Sequence, residues 1–242
     1  MAENEIIKHS KKAIAIMKSS GKSLRHKLFE IFVEVLIIVI AVSITIELNN
    51  WNERRHNAKE EREFLIGLKK DLQSDMANMA NSEGMYEYTL RGISFFLKTE
   101  NGEELNNDSV TKYSDCFFSS TNLDPHIARY EGLKSSGRFI IIKDKELLDN
   151  IIDLHESIFQ RIQDLNEKYY QHNQKIATLI SQNVILAKNG KVLNVASILG
   201  RSEFKILIGT SEGLIANNII PIHKEGVQKC REIIKQIETA LK

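Results

Sequence analysis

The chain has 242 residues and a formal net charge of +1, which speaks against a polyanion binder and against nucleic acid as a partner. Two prolines and twelve glycines are too few for a turn-rich β fold and favour long helices. Two cysteines, Cys116 and Cys230, are too few for a disulfide framework, so they are read either as one bridge or as free buried thiols, the second being the simpler reading.

Residues 1–27 form a basic tail, with Lys8, Lys11, Lys12, Lys18, Lys22, Arg25 and Lys27 set against Glu3 and Glu5. An apolar patch, Ala13 to Met17, lies among these lysines. It fits an amphipathic stretch on anionic lipid, where each basic residue contributes about 1 kcal/mol, or equally a solvated tail that holds an anchor's orientation.

Residues 28–50 are expected to be a transmembrane helix, since a span needs about 20 mostly apolar residues. The run from Leu28 to Leu48 is interrupted only by Glu30, Glu34, Ser43, Thr45 and Glu47, and it is unbroken from Val35 to Val42. Trp51, the only tryptophan, stands where an interfacial aromatic anchor belongs. A buried soluble helix is the bland alternative, but few soluble helices are apolar on every face. No small-x-small cleavage site follows, so an uncleaved signal anchor fits better than a removed leader. Lysine and arginine are nearly balanced across the run, with Lys12, Lys18, Lys22, Arg25 and Lys27 before it and Arg54, Arg55, Lys59 and Arg62 after it. A short basic tail is harder to move across a membrane than a long domain, which places the N-terminus in the cytoplasm and residues 51–242 outside, in the periplasm of a bacterial inner membrane.

That outer part reads as an all-α domain of roughly 190 residues, enough for a core of its own. Apolar residues at Leu65, Leu68, Leu72, Met76, Met79, Tyr86, Leu90, Ile93 and Leu97 step by threes and fours and predict a long helix over about 55–98. Residues 99–111 are a polar loop, and Tyr113 to Phe118 a short apolar patch. Asp124 and Pro125 are expected to cap and open a short helix near 125–136 that stops at Gly137. Phe139 to Ile142 is a brief extended or buried link. Asp144 can cap a second long helix, about 144–186, with a seam through Leu148, Ile151, His155, Ile158, Ile162, Leu165, Tyr169, His172, Ile176 and Leu179. Asn189-Gly190 marks a turn, 202–209 a short helix, and Pro221 opens a last helix over about 221–241. The expected architecture is one transmembrane helix continuing into an antiparallel helical bundle.

Chemical motifs are sparse. There is no H-E-x-x-H, no G-x-S-x-G, no phosphate loop and no Cys-x-x-Cys, so neither a catalytic residue nor a metal or cofactor site is assigned. His155 and His172 are too far apart for one ion, about 25 Å along a straight helix at 1.5 Å per residue. They are read as polar members of a bundle seam, and His126, after Asp124-Pro125, as a surface residue. Glu34 has the strongest physical claim on function, because an ionisable group inside a span is costly and normally finds a partner or a wet cavity. The competing account is that Glu34 leans back towards the interface near Lys27 or stays protonated.

Two blocks carry a family resemblance. Glu34 to Ala41 (EVLIIVIA), running on to Asn49-Asn50-Trp51-Asn52-Glu53-Arg54-Arg55, resembles the span signature G-E-[IV]-x-L-V-V-x-G-I-x-I-A-L-x-I-N-x-W-N-E-x-R. It belongs to an uncharacterised, domain-of-unknown-function group of single-span membrane proteins common in Bacteroidota. Ser135 to Leu147 (SSGRFIIIKDKEL) is similar to that group's S-S-G-[KR]-L-x-L-I-K-[ND]-x-E-L block. The resemblance covers the chain from about residue 28 onward and implies no activity. Val33, Ala41 and Thr45 depart from the small residues of the pattern, although Ala41 and Thr45 keep a four-residue spacing of the kind that lets spans pack closely. The combined expectation is a non-enzymatic single-pass membrane protein whose helical bundle binds a partner, scaffolds or relays a signal. Its partners would be membrane lipid and its own copies or other membrane proteins. The alternative is a subunit of an ion-coupled membrane complex in which Glu34 titrates.

Overall fold

The computed structural model describes residues 7, 11, 14, 24–98, 110, 112–185, 188 and 195–242, and all regular structure among them is helical. Most of the basic tail, the loop over 99–109 and the Asn189-Gly190 turn lie outside the described residues. The chain divides into two units, Met1–Glu61 and Arg62–Lys242.

Helix α1 is a single run of 75 residues, Leu24–Lys98, in keeping with an apolar helix that continues into the next long helix. In the first unit it is long and apolar enough to cross a membrane. Val35, Leu36, Ile37, Val39 and Ile40 are all exposed. Successive positions point 100° apart and every residue from Val39 to Leu48 is exposed, so no face of that part is covered.

The second unit is a bundle of three long helical runs. Its α1 portion buries Leu65, Leu68, Leu72, Asp75, Met79, Ser82, Tyr86, Thr89, Ile93 and Phe96, an unbroken series of three- and four-residue steps. The chain then turns through a 3₁₀ segment at Ser114–Phe117 and reaches α2, Ala128–Ser135. Gly137 takes the left-handed conformation (φ 66°) that ends this helix. Neither Asp124 nor Pro125 caps or opens α2, which begins at Ala128 behind Ile127 without a side-chain cap. The expected link over 139–142 is largely a second 3₁₀ turn, Arg138–Ile141.

The second long run comprises α3 (Lys145–Asp153), a π turn (Leu154–Ile158) and α4 (Phe159–Asn183). Asp144 caps it as predicted, its carboxylate accepting the Leu147 amide at 3.1 Å. After α5 (Val195–Leu199), the third run comprises α6 (Ser202–Leu214), a π turn (Ile215–Ile219) and α7 (Ile220–Ala240). The expected break between 209 and 221 is absent. Pro221 cannot donate to the carbonyl four residues back, at Asn217, and the wider π turn lets the helix pass that point.

Two clusters fill the bundle. One packs Leu65, Leu68, Leu72 and Met79 against Leu147 to Ile162 and against Ile222, Cys230, Ile233 and Ile237. The other packs Tyr86, Ile93 and Phe96 against Phe117, Tyr169, Ile176, Phe204, Ile208 and Ile219. Helices α1 and α3–α4 thus cross the clusters in the same order and are parallel, not antiparallel as expected. Short loops enforce antiparallel neighbours, whereas here residues 112–141 travel back along the bundle before α3 starts. Only the α6–α7 run opposes the others, with Lys224 paired to Glu83 (3.2 Å) and Glu238 to Lys69 (2.6 Å). Both cysteines are free and buried, and burial pushes each thiol up to about 12.

Candidate functional site

The residues singled out in the apolar stretch share one helix face. Positions 34, 41 and 45 lie within about 20° of a line, roughly 10 and 16 Å apart along the axis. Glu34 is buried, at 4% exposure, and it has an interaction partner, as does Glu30. Ala41 and Thr45 are exposed, and the Thr45 hydroxyl donates to the Ala41 carbonyl at 2.9 Å, so it is used within the helix. Glu47 pairs with Arg54 at 2.6 Å. Trp51 is half exposed, and the Arg55 guanidinium lies 4.7 Å from the centre of its ring. The Arg–Trp geometry is a cation–π contact.

The helical domain holds a polar arrangement that sequence reading missed. Asp75, fully buried in the α1 seam, accepts the His126 ring Nδ1 at 2.6 Å and the His126 backbone amide at 3.2 Å. Burial raises the Asp75 carboxyl above its ordinary value, against the pull of His126. The hydrogen bond and charge of Asp75 raise the half-exposed His126 imidazole in turn. His126 thus lies at the surface as expected, but Asp75 ties it to α1. One turn earlier, Asp71 accepts Nε of Arg129 at 2.9 Å. The Arg129 guanidinium lies directly over Gly67, where a Cβ would stand 2.1 Å from its central carbon.

The π turn of the second run sets two neighbours. His155 is buried, its ring stacked on Tyr130 at 4.2 Å between centroids, and its Nδ1 donates to the Ile151 carbonyl (2.9 Å). Burial lowers its basicity. Glu156 faces outward and accepts from the Tyr130 hydroxyl (2.7 Å) and from Lys134 (2.6 Å), which together hold its carboxyl below the usual range. His172 instead meets the Leu207 carbonyl at 2.8 Å. The structure therefore does not bring His155 and His172 together. Among the described residues no group of three or more His, Cys, Asp and Glu side chains could hold a metal ion.

A third group lies in the second cluster. The Tyr86 hydroxyl donates to Oδ1 of Asn166 at 2.9 Å, and Tyr86 packs edge-on against Tyr169 and His223. Burial lowers the basicity of His223. Beyond this group an apolar cavity of about 310 Å³ opens between Phe96, Phe117, Ile180, Val184, Ile198 and Phe204.

The signal that could have located the buried polar groups is their register. Asp75, Ser82 and Thr89 recur every seven residues inside the apolar seam of α1, and Asn166 and Asn173 do the same on α4. A polar residue at a seam position is costly unless partnered, and such positions set pairing.

A family model described as a family of unknown function (DUF6090) matches residues 34–211. No curated protein and no solved structure matches the chain.

Proposed function

We propose a membrane-anchored binding role for this chain, which belongs to DUF6090, a family of unknown function. The apolar stretch of α1 crosses a bacterial inner membrane once, with the N-terminus in the cytoplasm, and the helical domain stands in the periplasm. That domain works without catalysis, by binding its own copies or other membrane proteins.

The observation that supports this reading is the uncovered apolar surface of α1 in the first unit. Only 6% of its most apolar window is buried, and exposed isoleucine, leucine and valine side chains face every direction. In water such a surface would aggregate, and hydrocarbon is its natural solvent. Flanking Trp51, with Arg55 over its ring, suits the interfacial layer.

The test is extraction of native membranes with alkaline carbonate, followed by crosslinking in the same membranes. The chain should stay in the pellet and crosslink into a dimer or a mixed complex. Release into the supernatant would sink the anchor, and monomer as the sole crosslinked species would sink the binding role.

A further inference from the structure

We propose that a cleft between residues 120–122 and α4 is a binding site for a single neutral or amino sugar. The cleft holds about 290 Å³ and is lined by Ser120, Thr121, Asn122, Asn166, Glu167 and Tyr170. Its position is set by two clamps on the extended segment. Asn173 donates to the Ser119 carbonyl at 3.1 Å, and Gln163 donates to the Leu123 carbonyl at 3.3 Å. The three residues between those clamps span the cleft.

Two buried polar atoms in this lining have no hydrogen-bond partner among the described residues, Nδ2 of Asn166 and Oγ1 of Thr121. Asn166 is only 2% exposed. Its orientation is fixed from behind, because the Tyr86 hydroxyl donates to Oδ1 at 2.9 Å and the His223 ring nitrogen Nε2 lies 3.5 Å from the same oxygen. With the carbonyl side engaged, both amide hydrogens remain to be given to something else. Thr121 approaches the same Tyr86 phenol without its hydroxyl reaching hydrogen-bond geometry. Buried donors left without partners are costly, and this pair sits at the wall of a cleft with room for a ligand.

The chemistry of the lining selects the ligand class. Glu167 is the only charged residue among the six, and no lysine or arginine is there to neutralise a phosphate or carboxylate. A hydrocarbon would leave the amide and hydroxyl donors unsatisfied. The apolar cavity near Phe96 carries no comparable mark of what would fill it. A sugar offers acceptors to Asn166 and Thr121, donors to a carboxylate, and an apolar ring face. Gln171 donates to Oε1 of Glu167 at 2.8 Å, which steadies that carboxylate and leaves Oε2 to accept. Tyr170 is exposed and supplies an aromatic surface for the C–H face of the ring. The volume lies near the lower end of ligand pockets, about 300 Å³, which suits one small ligand better than a chain of them.

The experiment is saturation-transfer NMR on the full chain in lipid nanodiscs, which avoids sugar-headed detergents, with glucose, glucosamine and N-acetylglucosamine as probes. At least one probe should bind saturably at millimolar concentration. Tyr170→Ala and Glu167→Gln, both at exposed positions that leave the core untouched, should each weaken binding several-fold, up to about tenfold. The proposal is overturned if none of the three sugars saturates, or if binding is equal in the wild type and both variants. The outcome is independent of carbonate extraction, so the sugar site and the membrane anchor stand or fall separately.

Discussion

Helix α1 contains two stretches whose apolar side chains meet opposite fates. From Val35 to Leu48 its apolar side chains are exposed on every side. From Leu65 to Phe96 they follow a three- and four-residue rhythm and are buried, several of them completely. Composition already sets them apart, with 11 apolar residues of 14 in the first stretch and 15 of 32 in the second. Spacing explains the fates: a stripe needs one protein neighbour per face, while a continuous apolar surface needs an apolar solvent. The exceptions to each pattern are equally instructive. In the first stretch a single carboxylate, Glu34, is buried, and in the second a polar residue recurs every seven positions at Asp75, Ser82 and Thr89.

The largest effect expected from this contrast comes from truncating one leucine in the buried seam. Leu68 has no exposed surface. Leu68→Ala should cost the helical domain about 2–5 kcal/mol in denaturant unfolding, through lost transfer energy and the cavity left behind. Val39→Ala, in the exposed stretch, should leave the stability of the same domain within about 0.5 kcal/mol. Equal losses from the two would show that the exposed stretch is part of the domain's core and would end the distinction.

A smaller contrast separates two glycines within the bundle. A Cβ at Gly226 would stand 2.6 Å from Sδ of Met79 and 3.2 Å from Cδ1 of Ile162, both fully buried side chains with little room to move. Gly226→Ala should therefore destabilise by about 1–3 kcal/mol despite the better helix propensity of alanine. Gly84 has nothing within 4 Å of its Cβ position, so Gly84→Ala should stabilise by up to about 1 kcal/mol. Thermal unfolding of the two variants reads opposite signs. A stabilising Gly226→Ala would mean that the approach of α7 to α1 is looser than described.

Much of the helical character was legible because periodicity is local. The seams, the Asp144 cap and the left-handed Gly137 follow from neighbouring residues, and each is present. What failed was the non-local part. The parallel course of α1 and α3–α4 depends on how residues 112–141 return along the bundle, and spacing says nothing of a path. Pro221 does stand in the first turn of α7, as the local rule has it, but the π turn before it joins α7 to α6 without the expected break. His126 looked like a surface residue because its partner is 51 positions away. The register of Asp75 within an otherwise apolar seam is the hint the sequence offers, and the apolar Met76 beside it masks that hint. Asn166 was hidden in the same way, by a seam drawn through Leu165 and Tyr169.

The finest test of the buried polar register concerns pH. Asp75 raises the His126 imidazole, so folding strengthens proton binding there. The stability His126 contributes is therefore complete below about pH 6.5 and is lost as the pH rises through its raised folded value. Asp75 is also raised, by burial, so its contribution is present below the ordinary carboxylate range and is lost as the pH rises through its raised folded value. His155 and His223 act in the opposite sense. Burial lowers both, so their contribution is present above about pH 6.5 and is lost as the pH falls through their lowered values. His126→Gln removes one of these groups and leaves the others in place. Urea unfolding of wild type and variant, compared at about pH 6 and about pH 8.5, should show the wild-type advantage shrinking as the pH rises. Half of the imidazole is in water, so the change should be about 1 kcal/mol or less. An advantage that is constant across this window would mean that the contact with Asp75 is held by shape and by the backbone amide of His126, with no contribution from the charge on its ring.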